Sequence, residues 1–257
     1  MIKAVFFDID GTLVHAKTKI MPPSTRECLP LLREKGVKLF VATGRAPQST
    51  LFLKQYFDFD AIVSFTGAYA ADADGTVYHD RPFDADVLNR FYACAETEGL
   101  ALMVETAERQ VFTAVDDKVR TSAAKLVPVL PVLDARAVSE PVYQIIAYLT
   151  EDEEAEIQRL FPELTTNRLN EYATDITQKG VTKRTGVLKT CERFGFSPDE
   201  AMAFGDGEND VPMLETVGLG VAIGNACENA VRAAKDTTAD IESDGIRRAL
   251  MKYGLLR

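Results

Sequence analysis

Apolar runs, each followed by a segment with helical periodicity, dominate both ends of the chain. The run KAVFFDI at residues 3–9 and the runs that begin at Val37 and Ala61 are apolar at nearly every position. Strands buried on both faces have this pattern, and strands that alternate with helices are typical of a parallel sheet. The chain from Lys183 onward repeats the alternation. We therefore predict an α/β fold with helices on both faces of the sheet.

Local signals predict where several elements begin and end. Ser24 and Glu27 have the spacing of a capping box, and Gly36 is expected to end the helix that follows. A second helix is expected over residues 47–57. The Asp74-Gly75 pair predicts the turn of a β-hairpin.

The middle of the chain has a different pattern. Between about Pro82 and Lys179, alternating apolar and polar positions predict half-buried strands, interleaved with amphipathic helices. Such strands are typical of an antiparallel sheet with helices on one side. We therefore predict that residues 82–179 form a separate α+β domain, inserted into a domain made of residues 1–81 and 180–257.

Composition and charge exclude several classes of partner. The chain has 257 residues, of which 29 are Lys or Arg and 39 are Asp or Glu, so the net charge is −10. An acidic surface disfavours nucleic acid and anionic membranes. Neither a signal-peptide pattern nor a long apolar run is present, and the four cysteines lack metal or redox spacing. We expect a cytoplasmic protein that binds neither nucleic acid nor membrane.

Polar clusters follow the predicted strands, where ligands gather in open parallel sheets. The clusters are DIDGT at 8–12, TGR at 43–45, TK at 182–183 and GDGEND at 205–210. Each one alone has a structural interpretation, such as a solvated strand end, a turn or a helix cap. Together, Asp8, Asp10, Asp206 and Asp210 would need compensating positive charge, and carboxylate oxygens suit Mg²⁺.

The motifs DIDGT, ATGR, GVTK and GDGENDVPML, followed by GVAIGNA and ESDGI, resemble in type and order those of the haloacid dehalogenase (HAD) superfamily. The large insertion between ATGR and GVTK is similar to that of the Cof-type phosphatases. The resemblance implies a Rossmann-like catalytic core at residues 1–81 and 180–257. It also implies an α+β cap at residues 82–179 that sets substrate specificity.

The resemblance also implies a phosphoric monoester hydrolase that acts on small phosphate esters such as sugar phosphates. Asp8 would attack phosphorus and form an aspartyl-phosphate, while Asp10 would act as general acid and base. Thr43 and the Gly44 backbone N–H would hold phosphoryl oxygens. Lys183 would bind the phosphoryl group and offset the negative charge of the nucleophile.

A metal site follows from the same resemblance. Asp8, the main-chain carbonyl of Asp10 and Asp206 would hold Mg²⁺, with Asp210 as a further ligand or as a residue that orients the metal shell. Asn209 would contact the phosphate.

The sequence leaves the roles of Thr66 and Arg45 open. Relatives commonly have Asn-Gly-Ala where this chain has Thr66-Gly67-Ala68, and the Thr hydroxyl is shorter than an Asn amide. Arg45 could reach the phosphate, or it could form a structural salt bridge.

Other functions remain compatible with parts of the pattern. A phosphomutase of the same superfamily would return the phosphoryl group to a sugar instead of water. A phospho-accepting signalling domain also uses an acid pair and a lysine, but it needs no base two residues after the nucleophile and no large insertion. A nucleotide-binding Rossmann domain would have a glycine-rich loop after the first strand, and this chain has none.

The substrate is open among sugar phosphates, pyridoxal phosphate, flavin mononucleotide and nucleoside monophosphates.

Overall fold

The computed structural model describes residues 1–256, which divide into two compact units. The core unit consists of Met1–Arg45, Ser49–Asp80 and the chain from Thr182 on, and the cap unit consists of Ala46–Gln48 and Arg81–Val181. Apart from the short segment Ala46–Gln48, these bounds lie close to the expected division at residues 81 and 180.

The strands, in chain order, are β1 Ala4–Phe7, β2 Lys38–Ala42, β3 Ala61–Ser64, β4 Tyr69–Asp72, β5 Val77–Asp80, β6 Ala101–Thr106, β7 Gln110–Phe112, β8 Val142–Tyr148, β9 Leu164–Arg168, β10 Ala173–Gln178, β11 Ala201–Gly205, β12 Leu219–Ala222 and β13 Asp236–Thr237. The α-helices are α1 Pro23–Glu34, α2 Ala85–Thr97, α3 Asp117–Ala123, α4 Glu151–Leu160, α5 Lys183–Phe194, α6 Val211–Thr216, α7 Glu228–Ala233 and α8 Gly245–Lys252. Short 3₁₀ helices include Pro47–Gln55 and Phe65–Gly67.

The core unit contains one sheet of order β13-β12-β11-β1-β2-β3-β4-β5. The strands from β13 to β3 are parallel, and the hairpin β4–β5 adds two antiparallel strands at the edge. Alternate residues of β1 enter different apolar clusters: Val5 and Phe7 pack with residues of α1 and α8, and Ala4 and Phe6 pack with residues of α5 and α6. Both faces of the sheet are therefore covered, as the continuous apolar runs predict.

The cap unit contains an antiparallel sheet of order β7-β6-β8-β10-β9. On β6, Leu102 and Val104 pack with residues of α2 and α4. Ala101 and Met103, on the opposite face, pack with residues of α3, so the expectation of half-buried strands with helices on one side is wrong. The strands β6, β8 and β10 are buried at nearly every residue because side chains pack on both faces of the sheet. A Rossmann-like parallel core with an inserted α+β unit confirms the predicted fold class.

Two local predictions need correction. The capping box at Ser24 is wrong, because α1 already begins at Pro23 after Pro22, and no side chain caps it. Proline has a fixed φ suited to the first helical position, so the helix starts at Pro23, two residues before the start that a Ser24 cap would give. The helix expected over residues 47–57 is a 3₁₀ helix. The hairpin at Asp74-Gly75 is confirmed, and Gly75 has a positive φ.

In residues 1–256, no helix is both long and apolar enough to cross a membrane. The expected cytoplasmic location stays a prediction.

Candidate active site

The candidate site lies where three neighbouring parallel strands of the core sheet end. β1 pairs with β11 on one side and with β2 on the other. Asp8 directly follows β1, Asp206 directly follows β11, and Thr43 directly follows β2. Because parallel strands end at the same edge of a sheet, residues that are far apart in sequence meet here.

Lys183, the first residue of α5, joins two of the acids. Its Nζ lies 2.5 Å from Asp8 Oδ1 and 2.5 Å from Asp210 Oδ1, and the lysine is fully buried. Burial alone would lower the pKa of Lys183, but the carboxylates of Asp210 and Asp8 outweigh it and raise that pKa. The ammonium is therefore held permanently charged beside Asp8.

Asp210 also fixes the loop that carries Asp206. Its Oδ2 accepts hydrogen bonds from the backbone N–H groups of Asp206 and Gly207, both at 2.9 Å. A Cβ at Gly205 would approach the Asp210 carboxyl to 2.6 Å, so glycine is needed at the end of β11. Both oxygens of Asp210 are thus engaged within the protein.

Asp206 is held from the opposite side by the loop after β1. The Thr12 hydroxyl donates to Asp206 Oδ1 at 2.7 Å. The Asn225 amide donates to Asp206 Oδ2 at 3.2 Å and to the Gly11 carbonyl at 3.1 Å. Gly11 has φ +95° and a Cβ there would collide with Asp206, so only glycine fits this turn.

The acidic cluster fits a divalent cation. Carboxylate oxygens of Asp8, Asp206 and Asp210 all lie within 4.8 Å of one another. Lys183 supplies a single positive charge among these three carboxylates. Burial and the neighbouring carboxylates raise the pKa of Asp8 to about 8 and that of Asp206 to about 6. A dication would supply the missing charge, and clustered carboxylates are ligands that Mg²⁺ accepts.

Asp10 faces a different environment from the other three acids. Arg45 donates two hydrogen bonds to its carboxylate, from Nε at 2.6 Å and from Nη2 at 2.8 Å. Lys19 Nζ lies 2.5 Å from Asp10 Oδ1. Burial opposes charge on Asp10, but the hydrogen bonds from Arg45 and Lys19 outweigh it and lower the pKa of this carboxyl.

The loops after β2 and β3 form a further polar corner. A Cβ on Gly44 would lie 3.4 Å from Thr66 Oγ1 and 3.6 Å from Asn209 Nδ2, so these three residues meet. Thr43 is buried beside them, and its carbonyl accepts the Thr66 N–H at 3.0 Å. The Thr66 hydroxyl oxygen is buried without a hydrogen-bond partner in residues 1–256, and Thr66 has φ 54°.

The structure brings the predicted site residues together in two groups. Asp8, Asp206, Asp210 and Lys183 form one group. Thr43, Gly44 and Asn209 form the polar corner with Thr66. The Asp10 side chain points instead to Arg45, so of the two expectations for Arg45 the structure shows the ion pair.

Sequence reasoning assigned no contact to two residues of the site. Thr12 hydrogen-bonds Asp206, and Lys19 pairs with Asp10. The DIDGT motif contains Thr12, so its position beside the acids was a usable signal. Lys19 lies in an irregular loop with φ 57°, where no periodicity predicts the direction of a side chain.

Comparisons with known proteins agree with this geometry. A model of the haloacid dehalogenase-like hydrolase family matches residues 5–250. YkrA of Bacillus subtilis strain 168, which has a provisional phosphatase name, is 31% identical over 258 residues that cover 99% of both chains.

Solved structures give the same result. BT1666 of Bacteroides thetaiotaomicron, described as a phosphatase of the HAD superfamily, has a TM-score of 0.93 and 28% identity, covering 100% of this chain and 96% of its own. BT4131, described as a HAD subclass IIB sugar phosphatase, has a TM-score of 0.88 and 32% identity, covering 99% of this chain and 100% of its own. The expected enzyme class, an HAD-type phosphatase, is confirmed. With a family match over most of its length and relatives that align from end to end, the chain belongs to the haloacid dehalogenase-like hydrolase family.

Proposed function

We propose that this enzyme is a Mg²⁺-dependent phosphatase that hydrolyses small phosphate monoesters through an aspartyl-phosphate on Asp8. The observation that carries the proposal is the buried group in which Lys183 touches Asp8 and Asp210 while Asp206 lies within reach of both. Such a group presents one carboxylate oxygen beside a fixed cation, which suits attack on phosphorus.

Asp8, Asp206 and the main-chain carbonyl of Asp10 are the residues proposed to hold Mg²⁺. Asp210 then acts through its neighbours, because its oxygens already bind Lys183 and the backbone of Asp206 and Gly207. When bound, the metal ion neutralises charge that would otherwise repel a phosphate dianion from the carboxylates.

In the first step, a carboxylate oxygen of Asp8 attacks phosphorus and the ester oxygen leaves. Lys183 favours the ionised form of Asp8 by placing a positive charge 2.5 Å from its Oδ1, which opposes the effect of burial on the pKa of Asp8. The same ammonium offsets charge on the phosphoryl oxygens as the transition state forms. Asp10 gives its proton to the leaving oxygen.

In the second step, Asp10 takes a proton from the water that attacks the aspartyl-phosphate. The ion pairs with Arg45 and Lys19 favour the carboxylate form of Asp10, which is the form that can accept this proton. Donation in the first step requires protonated Asp10, so one of these cations must turn away when substrate binds. Arg45 is the candidate, since a guanidinium also binds phosphate well.

The polar corner is proposed to bind the phosphoryl oxygens. Thr43, the Gly44 N–H and Asn209 would supply donors, and the nearby Thr66 hydroxyl adds a donor with no partner in residues 1–256. Left-handed backbone at a β-branched residue is strained, and such strain is often kept at ligand sites. Thr66 therefore replaces, as a phosphate ligand, the Asn that relatives commonly have.

The proposed substrates are sugar phosphates or similar small monoesters. The support is the likeness to BT4131, described as a sugar phosphatase and 32% identical. The cap unit is proposed to select among substrates, because one fold can serve many substrates when the residues around the site differ.

The test is phosphate release from a panel of phosphorylated metabolites, measured with Mg²⁺ and with EDTA. The wild-type enzyme is compared with Asp8→Asn, Asp10→Asn and the control Asp58→Asn, which makes the same change at an exposed residue of the core unit. We expect metal-dependent release by the wild type and the control, and loss of release in both site variants. Transfer to a second sugar instead of water would support a mutase, and full activity in Asp8→Asn would refute the proposal.

A further inference from the structure

A second buried polar cluster lies in the cap unit, on the face of the sheet that carries Ala101 and Met103. Glu105 follows on the same face of β6 and stands directly opposite Gln144 of β8. Asp175 of β10 stands opposite Ile146, which is two residues from Gln144 and on the same face. The register of three adjacent strands thus places Glu105, Gln144 and Asp175 on one surface.

All three side chains are buried. Glu105 is 3% exposed, Gln144 is 4% exposed and Asp175 is 6% exposed. Within residues 1–256, Gln144 Oε1 and Asp175 Oδ1 have no hydrogen-bond partner. Unsatisfied buried acceptors are costly, so a cluster that keeps two of them calls for an explanation.

The cluster also lacks a cation. The part of the chain that the structure describes contains no lysine, arginine or histidine in an ion pair with Glu105 or Asp175, and the contact identified for Glu105 is a hydrogen bond from the Gln110 amide. Burial raises the pKa of Glu105 to about 7, and burial with the nearby Glu105 carboxyl raises the pKa of Asp175 well above its usual range. The ionised forms of the two acids are therefore disfavoured as long as nothing positive joins them.

We propose that Glu105, Gln144 and Asp175 bind the primary ammonium group of a small molecule. This inference goes beyond the proposed function, because all three residues belong to the cap unit. Three acceptor groups match the three N–H donors of an ammonium, and the carboxylates supply the opposite charge.

The same atoms suit a metal ion poorly. Ca²⁺ needs six to eight oxygen ligands and Mg²⁺ needs an octahedral set. In residues 1–256 the acidic groups close enough together to hold a metal are those of the core unit, Asp8, Asp206 and Asp210. The pairing register of β6 and β8 shifts between Glu105 and Thr106, and such irregularities often accompany ligand sites.

The experiment uses primary alkylamines of increasing chain length, each paired with the alcohol of equal length. Calorimetry gives the ratio of amine to alcohol affinity for the wild type, Glu105→Gln, Asp175→Asn and the control Asp152→Asn. Asp152 is an exposed cap residue, so the control makes the same chemical change outside the cluster. Asp8→Asn, which changes the core unit, is a second control.

For at least one pair of compounds, we expect the wild type, Asp152→Asn and Asp8→Asn to bind the amine about tenfold more tightly than the alcohol, as for a hydrogen bond to a charged group. Glu105→Gln and Asp175→Asn should bring that ratio close to one. Equal binding of amine and alcohol in every pair would overturn this inference alone. Absence of phosphate release from every ester would instead overturn the proposed function, and the calorimetry would still test the ammonium site.

Discussion

The core unit and the cap unit each bury a group of acidic side chains, but the two groups are balanced differently. In the core unit, Asp8 and Asp210 share the fully buried ammonium of Lys183. In the cap unit, Glu105 and Asp175 are equally deep, and no ion pair reaches them from residues 1–256.

The difference in ion pairing indicates which charges or donors each cluster lacks. The core cluster has one fixed cation for three carboxylates. Lys183 offsets part of the negative charge in the folded chain, and the remaining charge favours binding of a dication. The cap cluster has acceptors only, so its burial costs stability until donors arrive. A residue that lowers stability where it lies is expected at a functional site.

The largest effect is expected from Lys183→Met, which removes the cation from the core cluster. Two buried carboxylates then lose their partner, so the free energy of unfolding should fall by about 3–5 kcal/mol. Phosphatase activity should fall by more than about a hundredfold. Urea denaturation and phosphate-release assays measure the two effects.

Lys189→Met on the same helix is the matched control, because Lys189 forms an exposed pair with Glu192. It should change stability by less than about 1 kcal/mol. If Lys183→Met were as stable and as active as Lys189→Met, the core cluster would not depend on its internal cation.

An intermediate effect is expected from Glu105→Gln, with the opposite sign. The folded-state pKa of Glu105 is raised from 4.5 to about 7, so the folded chain binds more protons than the unfolded chain between these values. Wild-type stability should therefore fall as pH rises through this range. Glu105→Gln, which cannot ionise, should be about 3 kcal/mol more stable than the wild type at pH 8 and equal to it near pH 4.

Chemical denaturation at both pH values, without ligand, checks this prediction, with Asp152→Asn as the control that should show no such pH-dependent difference. A Glu105→Gln variant less stable than the wild type at pH 8 would mean that the carboxylate has a stabilising partner after all.

The smallest effect is expected from Thr66→Val, which removes the unpartnered hydroxyl and keeps the shape. Because Thr66 Oγ1 has no partner in residues 1–256, stability should hardly change, while kcat/KM should fall about tenfold. Thr190→Val is the contrasting control, since that buried hydroxyl donates to the Gly186 carbonyl at 2.8 Å and contacts the Tyr78 hydroxyl. Thr190→Val should lose stability and keep its activity. A Thr66→Val variant that is less stable but fully active, beside a Thr190→Val variant that loses activity, would show that Thr66 is not part of the site.

Local pattern predicted much of the fold. The continuous apolar run before Asp8 indicated a strand buried on both faces, and β1 is such a strand. The alternating run from Val142 indicated a strand correctly, but β8 is buried at nearly every residue instead of on one face only. The predicted strand ends indicated that the acids from the N-terminal and C-terminal parts of the chain would meet, because a parallel sheet places its strand ends at one edge.

The rest depends on contacts between distant residues, which no periodicity encodes. The ion pair between Arg45 and Asp10 joins residues 35 positions apart. The cap cluster is visible only once the strand register is known, since a shift by one residue would turn Glu105 to the other face. The early start of α1 at Pro23 shows a local competition in which proline geometry outweighed a capping signal.

The most direct test of the central claim is to trap the phosphorylated enzyme. Asp10→Asn is mixed with Mg²⁺ and p-nitrophenyl phosphate, whose leaving group departs without a proton, and the acid-quenched protein is analysed by peptide mass spectrometry. Because the amide that replaces the Asp10 carboxylate cannot take a proton from water, a phosphoryl group should accumulate on the peptide that contains Asp8. It should be absent from the double variant Asp8→Asn/Asp10→Asn. Turnover without any phosphoryl group on Asp8, or its appearance on another residue, would contradict the claim that Asp8 is the nucleophile.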